Sequence, residues 1–335
     1  MLIVTFEVQQ TAAQPLNNSS TQPAPAHMQY FFSLLSDYFR NVDKWALLLI
    51  SIFVGSLIFI NYRWGWENKI WDAPTETEKF FRFYFLYLLA FAGAYFIQQL
   101  LKPNIPRATW LFVLVVLLAP AVFALKVSFD GHRSLFDRLF SWPLNKYVYT
   151  MLDYPIRFLL VIIALIFLWR IIKPSYSFCG LTLKNFQVRP YLILLACMIP
   201  LISLASLRPE FLHSYPKMKV LSFMPVIHWY DRLIFEISYG IDFLTIETFF
   251  RGFVVLALAQ FVGKDAILPM AAFYCVIHFG KPLPECISSY FGGLILGVLA
   301  YETGSIIGGF MVHVGIAWMM EAGGYFGNLF NKFKV

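Results

Sequence analysis

The strongest constraint on this chain is the recurrence of long apolar runs along its 335 residues. Hydrophobic residues make up 59% of the sequence and charged residues only 13%, whereas a soluble domain carries about 25% charged residues. One water-soluble core cannot absorb so much apolar surface, so the sequence predicts lipid as the solvent. Because a helix crosses a bilayer with about 20 predominantly apolar residues, we predict an all-α, polytopic transmembrane helix bundle with about eight or nine spans. The predicted spans are 45–62, 80–101, 110–125, 156–172, 191–207, 233–261, 266–279, 288–301 and 305–320.

The net charge of +7 is spread over the loops and does not form one patch. No Lys/Arg run is interleaved with stacking aromatic residues, so the charge predicts membrane lipids as partners and no nucleic acid. We expect an integral, multi-pass protein of a bacterial inner (cytoplasmic) membrane. Residues 1–44 are polar and rich in Pro, Asn, Ser, Thr and Gln, which predicts a disordered N-terminal tail.

The first candidate for chemistry is the pair Glu247 and Arg251. Residues at i and i+4 share a helix face and can form an ion pair. Charges within a membrane helix are costly, so they face the bundle interior and often mark function. A structural ion pair that joins helices is the alternative interpretation.

Two histidines give further candidates. His278 lies at the end of an apolar run, where an imidazole can exchange a proton, bind a metal or simply anchor the interface. His313 lies deep inside another apolar run, and Glu321 lies eight residues later on roughly the same helix face. Two polar groups on one face suggest a hydrated cavity, although a structural His with one hydrogen-bond partner fits the pattern as well.

These motifs, in this order, resemble the CPBP family, which contains CAAX proteases and bacteriocin-processing proteins. The family includes endopeptidases of the endoplasmic reticulum that remove the last three residues of prenylated proteins. The resemblance covers about residues 180–325 and would make this region the family's membrane core. The matching blocks are the lead-in at 180–185, Glu247 with Arg251-Gly252 (EExxxR), Tyr274 with His278 (FxxxH), the glycine-rich blocks 291–297 and 303–306, and His313 (HxxxN).

The resemblance divides the chain into four parts. Residues 1–44 are the tail, and 45–179 are additional transmembrane helices with interfacial connectors. Residues 180–325 are the CPBP-like core, and 326–335 are a short C-terminal tail.

Two positions depart from the family pattern. In proteolytic members, the first Glu of EExxxR and the His of FxxxH are held to activate a water, while the His and Asn of the last motif stabilise the oxyanion. Here the first Glu is Ile246 and the Asn is Ala317. Removing an oxyanion donor costs about 10²–10³ in kcat, and removing a general base costs about 10²–10⁴. Ordinary CAAX-type proteolysis is therefore in question.

Three carboxylates are candidates to compensate for these losses. Asp242 lies one helical turn before Ile246 and on the same face, so it could supply the base. Alternatively, Glu247 serves as base with Arg251 tuning it, while Glu321 replaces the missing Asn. However, one turn displaces a group by about 5.4 Å, which is more than catalysis tolerates.

The resulting hypothesis is an intramembrane endopeptidase that acts on a membrane-embedded or lipid-linked polypeptide. The predicted catalytic residues are Asp242, Glu247, Arg251, His278, His313 and Glu321. Glu247, His278 and His313 could also hold a divalent metal such as Zn²⁺, which needs three protein ligands and an open position. The alternative is a catalytically impaired family member that serves as a membrane scaffold or as a subunit of a membrane protein complex.

Overall fold

A computed structural model describes residues 27–102, 109–184 and 186–332 of the chain. Within these ranges every regular element is a helix, and no strand occurs. This confirms the predicted all-α helix bundle. Asn185, at the end of the lead-in motif, and most of the predicted N-terminal tail lie outside the described residues.

Seven helices precede the region with the motifs. They are α1 (His27–Asn41), α2 (Lys44–Trp64), α3 (Trp66–Trp71), α4 (Glu76–Leu101), α5 (Trp110–Ser128), α6 (Gly131–Leu139) and α7 (Leu144–Ile172). Side-chain caps mark the start of α2 and of α4. The Asp43 carboxylate accepts hydrogen bonds from two backbone N–H groups of the first turn of α2, and Thr75 accepts one at the start of α4. Such caps satisfy donors that the helix itself leaves unpaired.

Seven more helices build the C-terminal half. They are α8 (Val188–Ala205), α9 (Pro209–Ser214), α10 (Trp229–Glu247), α11 (Leu256–Val262), α12 (Ile267–Val276), α13 (Leu283–Thr303) and α14 (Ile307–Lys332). Between α10 and α11 the chain continues as a π-helix, Thr248–Val255. π-helical turns are rare and are frequently found at functional sites. This one contains Arg251 and follows directly after Glu247.

Six segments of the described chain are long and apolar enough to cross a membrane. They are α2, α4, the continuous stretch Trp110–Leu139, α7, α8 and α13. The predicted number of eight or nine spans therefore stays a prediction. Helix α12 has 10 residues, so it extends about 15 Å, half of a hydrocarbon core of about 30 Å. All its residues are buried within the protein.

One aromatic core joins the two halves of the chain. Phe123 of α5 lies 5.1 Å from Phe249 and 5.1 Å from Phe250 of the π-helix, measured between ring centroids. Phe91 of α4 lies 5.4 Å from Phe273 of α12. All five rings are buried. The added N-terminal helices thus form a wall of the same core that holds the motifs.

The chain ends differ from the sequence prediction. Residues 27–41 were expected in the disordered tail, yet they form α1, because Tyr38 and the nearby Val42 are buried against the helical core. Residues 326–332 were expected in a short tail, yet they continue α14. The Asn328 amide donates hydrogen bonds to backbone oxygens of Leu212 and Tyr215, which attaches this turn to the rest of the protein.

Gly252 tests the packing around the π-helix. A Cβ at Gly252 would lie 2.3 Å from the backbone oxygen of Cys179, which cannot move as a flexible side chain would. We expect Gly252→Ala to destabilise the protein by about 1–3 kcal/mol, as overpacking does. Gly292→Ala is the control, since a Cβ there meets nothing within 4 Å. Thermal unfolding in detergent measures both variants, and equal melting temperatures would contradict this packing.

Candidate functional site

Glu247 and Arg251 form a fully buried ion pair. One guanidinium nitrogen of Arg251 lies 3.1 Å from Glu247 Oε1, and both side chains have 0% exposure. The guanidinium carbon lies 4.1 Å from the centre of the Tyr274 ring, which favours a cation over its face. The charge of Arg251 is therefore compensated by a carboxylate and by an aromatic ring.

A hydrogen-bonded chain leads from Glu247 to Tyr274. His313 Nδ1 lies 3.1 Å from Glu247 Oε1, and His313 Nε2 lies 3.1 Å from the Tyr274 hydroxyl. An ionised carboxylate can only accept, so we assign the imidazole proton to Nδ1. Nε2 then accepts from the Tyr274 hydroxyl. Carboxylate, imidazole and phenol are thus aligned in one chain.

Gly309 of α14 makes this approach possible. A Cβ at Gly309 would lie 2.5 Å from Glu247 Oε2. A larger residue would push α14, and with it His313, away from the carboxylate. The sequence offered only a repeated glycine pattern here, which predicts helix packing and no chemistry.

His278 lies on the other side of Tyr274. Its Nδ1 lies 2.9 Å from the backbone oxygen of Tyr274, and the two rings are 4.7 Å apart. A carbonyl oxygen only accepts, so Nδ1 carries the proton and Nε2 keeps its lone pair. Nε2 has no hydrogen-bond partner among the described residues, and the side chain is half-buried. We call Glu247, Arg251, Tyr274, His278 and His313 the polar cluster.

Both departures from the family pattern lie in apolar surroundings. Ile246 is 8% exposed and belongs to the main hydrophobic core. Ala317 is 3% exposed and packs in a cluster with Leu221, Phe235 and Tyr239. Neither side chain offers a polar atom that could replace the family's residue.

The structure gives Asp242 and Glu321 other partners. Asp242 Oδ1 lies 2.6 Å from the ammonium group of Lys126 on α5. The Glu321 carboxylate accepts from the backbone N–H groups of Lys217 at 2.6 Å and Met218 at 3.0 Å. In the described chain, no hydrogen bond or ion pair joins either carboxylate to the polar cluster. Their bonding partners lie outside the polar cluster, which favours a structural role for both carboxylates.

Two charged residues outside the membrane spans have shifted pKa values. Burial, assisted by the charge of Lys281, lowers the pKa of Lys217 to about 8. Burial also raises the pKa of Glu67 above its usual range. A Cβ at Gly280 would lie 2.7 Å from a Glu67 oxygen, so this carboxylate contacts the turn that follows His278.

Helix α2 also holds this turn, which the sequence did not predict. The buried amide of Asn61 donates to the backbone oxygen of Phe279 at 3.1 Å and accepts from the N–H of Glu67 at 2.8 Å. The Tyr62 hydroxyl donates to the backbone oxygen of Lys281. An Asn inside an apolar span was the available signal, because such a group must find partners within the protein.

Glu247, His278 and His313 do not fit a shared metal ion. Arg251 places a positive charge 3.1 Å from the carboxylate oxygen that would bind the ion, and both nitrogens of His313 already have partners. Among the described residues, only Asp130, His132 and Asp153 bring three such ligand atoms within 4.8 Å of one another. Arg157 lies 2.7 Å from Asp153 in that group and supplies a cation to it.

Single and double variants test the buried ion pair. Arg251→Met should destabilise the protein by about 3–5 kcal/mol, because it leaves the Glu247 charge unpaired. The double variant Glu247→Met with Arg251→Met should recover much of this loss, since apolar replacement of a whole pair is often neutral. His278→Ala serves as a control that leaves the pair intact. The melting temperatures of the variants are measured in detergent. A double variant that is no more stable than Arg251→Met would contradict the energetic coupling between Glu247 and Arg251.

Comparison with known proteins adds one match at the position of the polar cluster. Residues 232–319 match the family model described as type II CAAX prenyl endopeptidase Rce1-like. No curated protein and no solved structure matches the chain significantly. The matched range contains every member of the polar cluster and ends shortly after Ala317. Residues 232–319, within the membrane core of this chain, are therefore similar to the Rce1-like endopeptidases of the CPBP family.

Proposed function

We propose that this protein is an endopeptidase that hydrolyses a membrane-embedded or lipid-linked polypeptide within the bilayer. The observation that supports this most is the hydrogen-bonded chain from Glu247 through His313 to Tyr274, with His278 beside it. Ionisable groups are costly in a membrane and mark functional cavities when they occur there. The similarity to Rce1-like endopeptidases supplies the family context, and the activity itself is our inference.

His278 is the general base in this proposal. Its Nδ1–H is fixed by the Tyr274 carbonyl, so Nε2 is oriented and free to take a proton from water. The water oxygen attacks the peptide carbonyl carbon, and the same proton then passes to the leaving amine. Glu247 is unsuited to this role, because it is fully buried and shared between Arg251 and His313. It orients His313 instead.

Tyr274 supplies the donor that Ala317 lacks. The FxxxH motif of the family has Phe at this position, so the hydroxyl is an addition in this chain. Before the reaction it donates to His313 Nε2, and in the proposed reaction it exchanges this hydrogen bond for one to the oxyanion that forms when water attacks. His313, aligned by Glu247, holds the hydroxyl in place.

Cleavage assays in proteoliposomes test these roles with a lipid-linked reporter peptide. We expect His278→Ala to reduce kcat by about 10²–10⁴, the contribution of acid–base catalysis. Tyr274→Phe should reduce it by about 10²–10³, the value of one oxyanion donor, with little change in melting temperature. His213→Ala is the control, because His213 is exposed and lies outside the polar cluster.

Asp242→Asn separates this mechanism from one with a carboxylate base. Asp242 is paired with Lys126, so the variant should lower stability but leave kcat of the folded fraction within about threefold, below the range of an acid–base role. A folded Asp242→Asn protein without turnover would make Asp242 the base and remove His278 from that role.

A membrane scaffold or complex subunit is the second candidate. Ile246 and Ala317 lie in apolar surroundings, and Asp242 and Glu321 have structural partners, so no other carboxylate replaces the two family residues that are missing here. In this case the wild type cleaves no lipid-linked peptide and co-purifies with a partner at fixed stoichiometry.

Ile246→Glu combined with Ala317→Asn tests the scaffold further. If the wild type cleaves no peptide, restoring both family residues should produce cleavage, because the carboxylate introduced at position 246 can then reach the water beside His278. The single variants are the controls and should cleave no peptide. Cleavage by the wild type at a rate equal to that of the double variant would contradict the scaffold.

A further inference from the structure

An apolar groove runs along the outer surface of the bundle between α2 and α13. Its volume is about 590 Å³. Gly55 and Phe59 of α2 form one wall, and Ile287 and Phe291 of α13 form the other. The two Phe side chains are largely exposed, at 63% and 57%, so they form rims of the groove rather than parts of the core.

The interior of the groove is free of unmatched polar groups. Its one polar contact within the groove lining joins the hydroxyls of Ser51 and Tyr290 at 3.1 Å, so the two groups satisfy each other. A Cβ at Gly55 would meet nothing within 4 Å, which leaves an open trough along the helix. The groove therefore suits a flexible hydrocarbon chain.

One end of the groove carries a cation. Arg63 lies in the last turn of α2 and lines the groove. Its side chain is exposed and has no hydrogen bond or ion pair among the described residues. Trp64 and Trp66 follow it, and Trp is enriched at the headgroup level of membranes. Arg63 is thus placed to meet an anionic headgroup.

The length of the groove matches one leaflet. From Arg63 to Ser51 the helix advances about 18 Å at about 1.5 Å per residue. One leaflet supplies about half of a hydrocarbon core of about 30 Å. A lipid with its headgroup at Arg63 would therefore extend an acyl chain to the end of the groove near Ser51.

We propose that this groove binds one anionic phospholipid, with its phosphate at Arg63 and one acyl chain between α2 and α13. Free phosphate would leave the apolar walls unused, so the proposal commits to the lipid. The hydroxyl of Tyr62, which also lines the groove, donates to the backbone oxygen of Lys281, three residues after His278. The lipid would lie beside the turn that carries His278. This assignment does not depend on peptidase activity.

Native mass spectrometry of the full chain tests the proposal. The protein is equilibrated in detergent with equal amounts of phosphatidylglycerol and phosphatidylcholine that carry identical acyl chains. We expect one retained lipid per protein, with phosphatidylglycerol preferred. Arg63→Gln should reduce the preference about fivefold, the effect of one cation at an anionic surface. Arg170→Gln is the control, since Arg170 is an exposed residue in the last turn of α7 and lies away from the groove.

Two tryptophan variants test the groove itself. Gly55→Trp fills the trough and should abolish lipid retention, and Ile287→Trp does the same from the opposite wall. Leu49→Trp places an indole on another face of α2, where Leu49 is 39% exposed, and should retain the lipid. Equal retention in the Gly55, Ile287 and Leu49 variants would overturn the proposal, as would a wild type without preference between the two lipids. If the tryptophan variants change the number of protein copies per complex and not the number of bound lipids, the groove is an interface with a second copy of the chain. That result would also overturn the proposal.

Discussion

The buried charge of Arg251 is the constraint on which the rest of the core depends. A guanidinium without exposure in a membrane protein needs a counter-charge, because desolvation of an unpaired charge is prohibitive. Glu247 supplies that charge one turn earlier, and the Tyr274 ring covers a face of the guanidinium. The pair therefore fixes the relative positions of α10, the π-helix and α12. Gly309 adds α14, because it lets that helix reach the same carboxylate.

This arrangement limits the chemistry that the site can perform. The Glu247 carboxylate is shared by a guanidinium and an imidazole and is shielded from water. A carboxylate in this position orients a histidine, as the third member of a catalytic triad does. Within the polar cluster, His278 keeps a ring nitrogen without a hydrogen-bond partner among the described residues, and the Tyr274 hydroxyl donates its hydrogen bond to His313.

Hydropathy predicted most of the fold. In lipid, backbone N–H and C=O groups must be hydrogen-bonded within the protein, so each long apolar run forms a helix. The i, i+4 spacing likewise predicted the contact between Glu247 and Arg251. Contacts between residues that lie far apart in the sequence could not be predicted from it. Asp242 finds Lys126 on α5, and no local pattern links two residues so far apart in sequence. Glu321 lies on the same helix as His313, but its carboxylate accepts hydrogen bonds from the backbone N–H groups of Lys217 and Met218, which no local pattern links to it.

The N-terminal helices follow from the same physical requirement. Helix α12 is too short to span the hydrocarbon alone, and the chain turns after it, with His278, beside the end of α2 that holds Asn61 and Tyr62. The polar backbone of such a turn needs partners from the protein or from water. Helices α4 and α5 provide the aromatic wall, and Asn61 of α2 satisfies the Phe279 oxygen. The part of the chain from residue 180 onward, on its own, would lose these contacts and leave that oxygen without its Asn61 partner. The added helices therefore complete the environment in which the buried charges and His278 can exist.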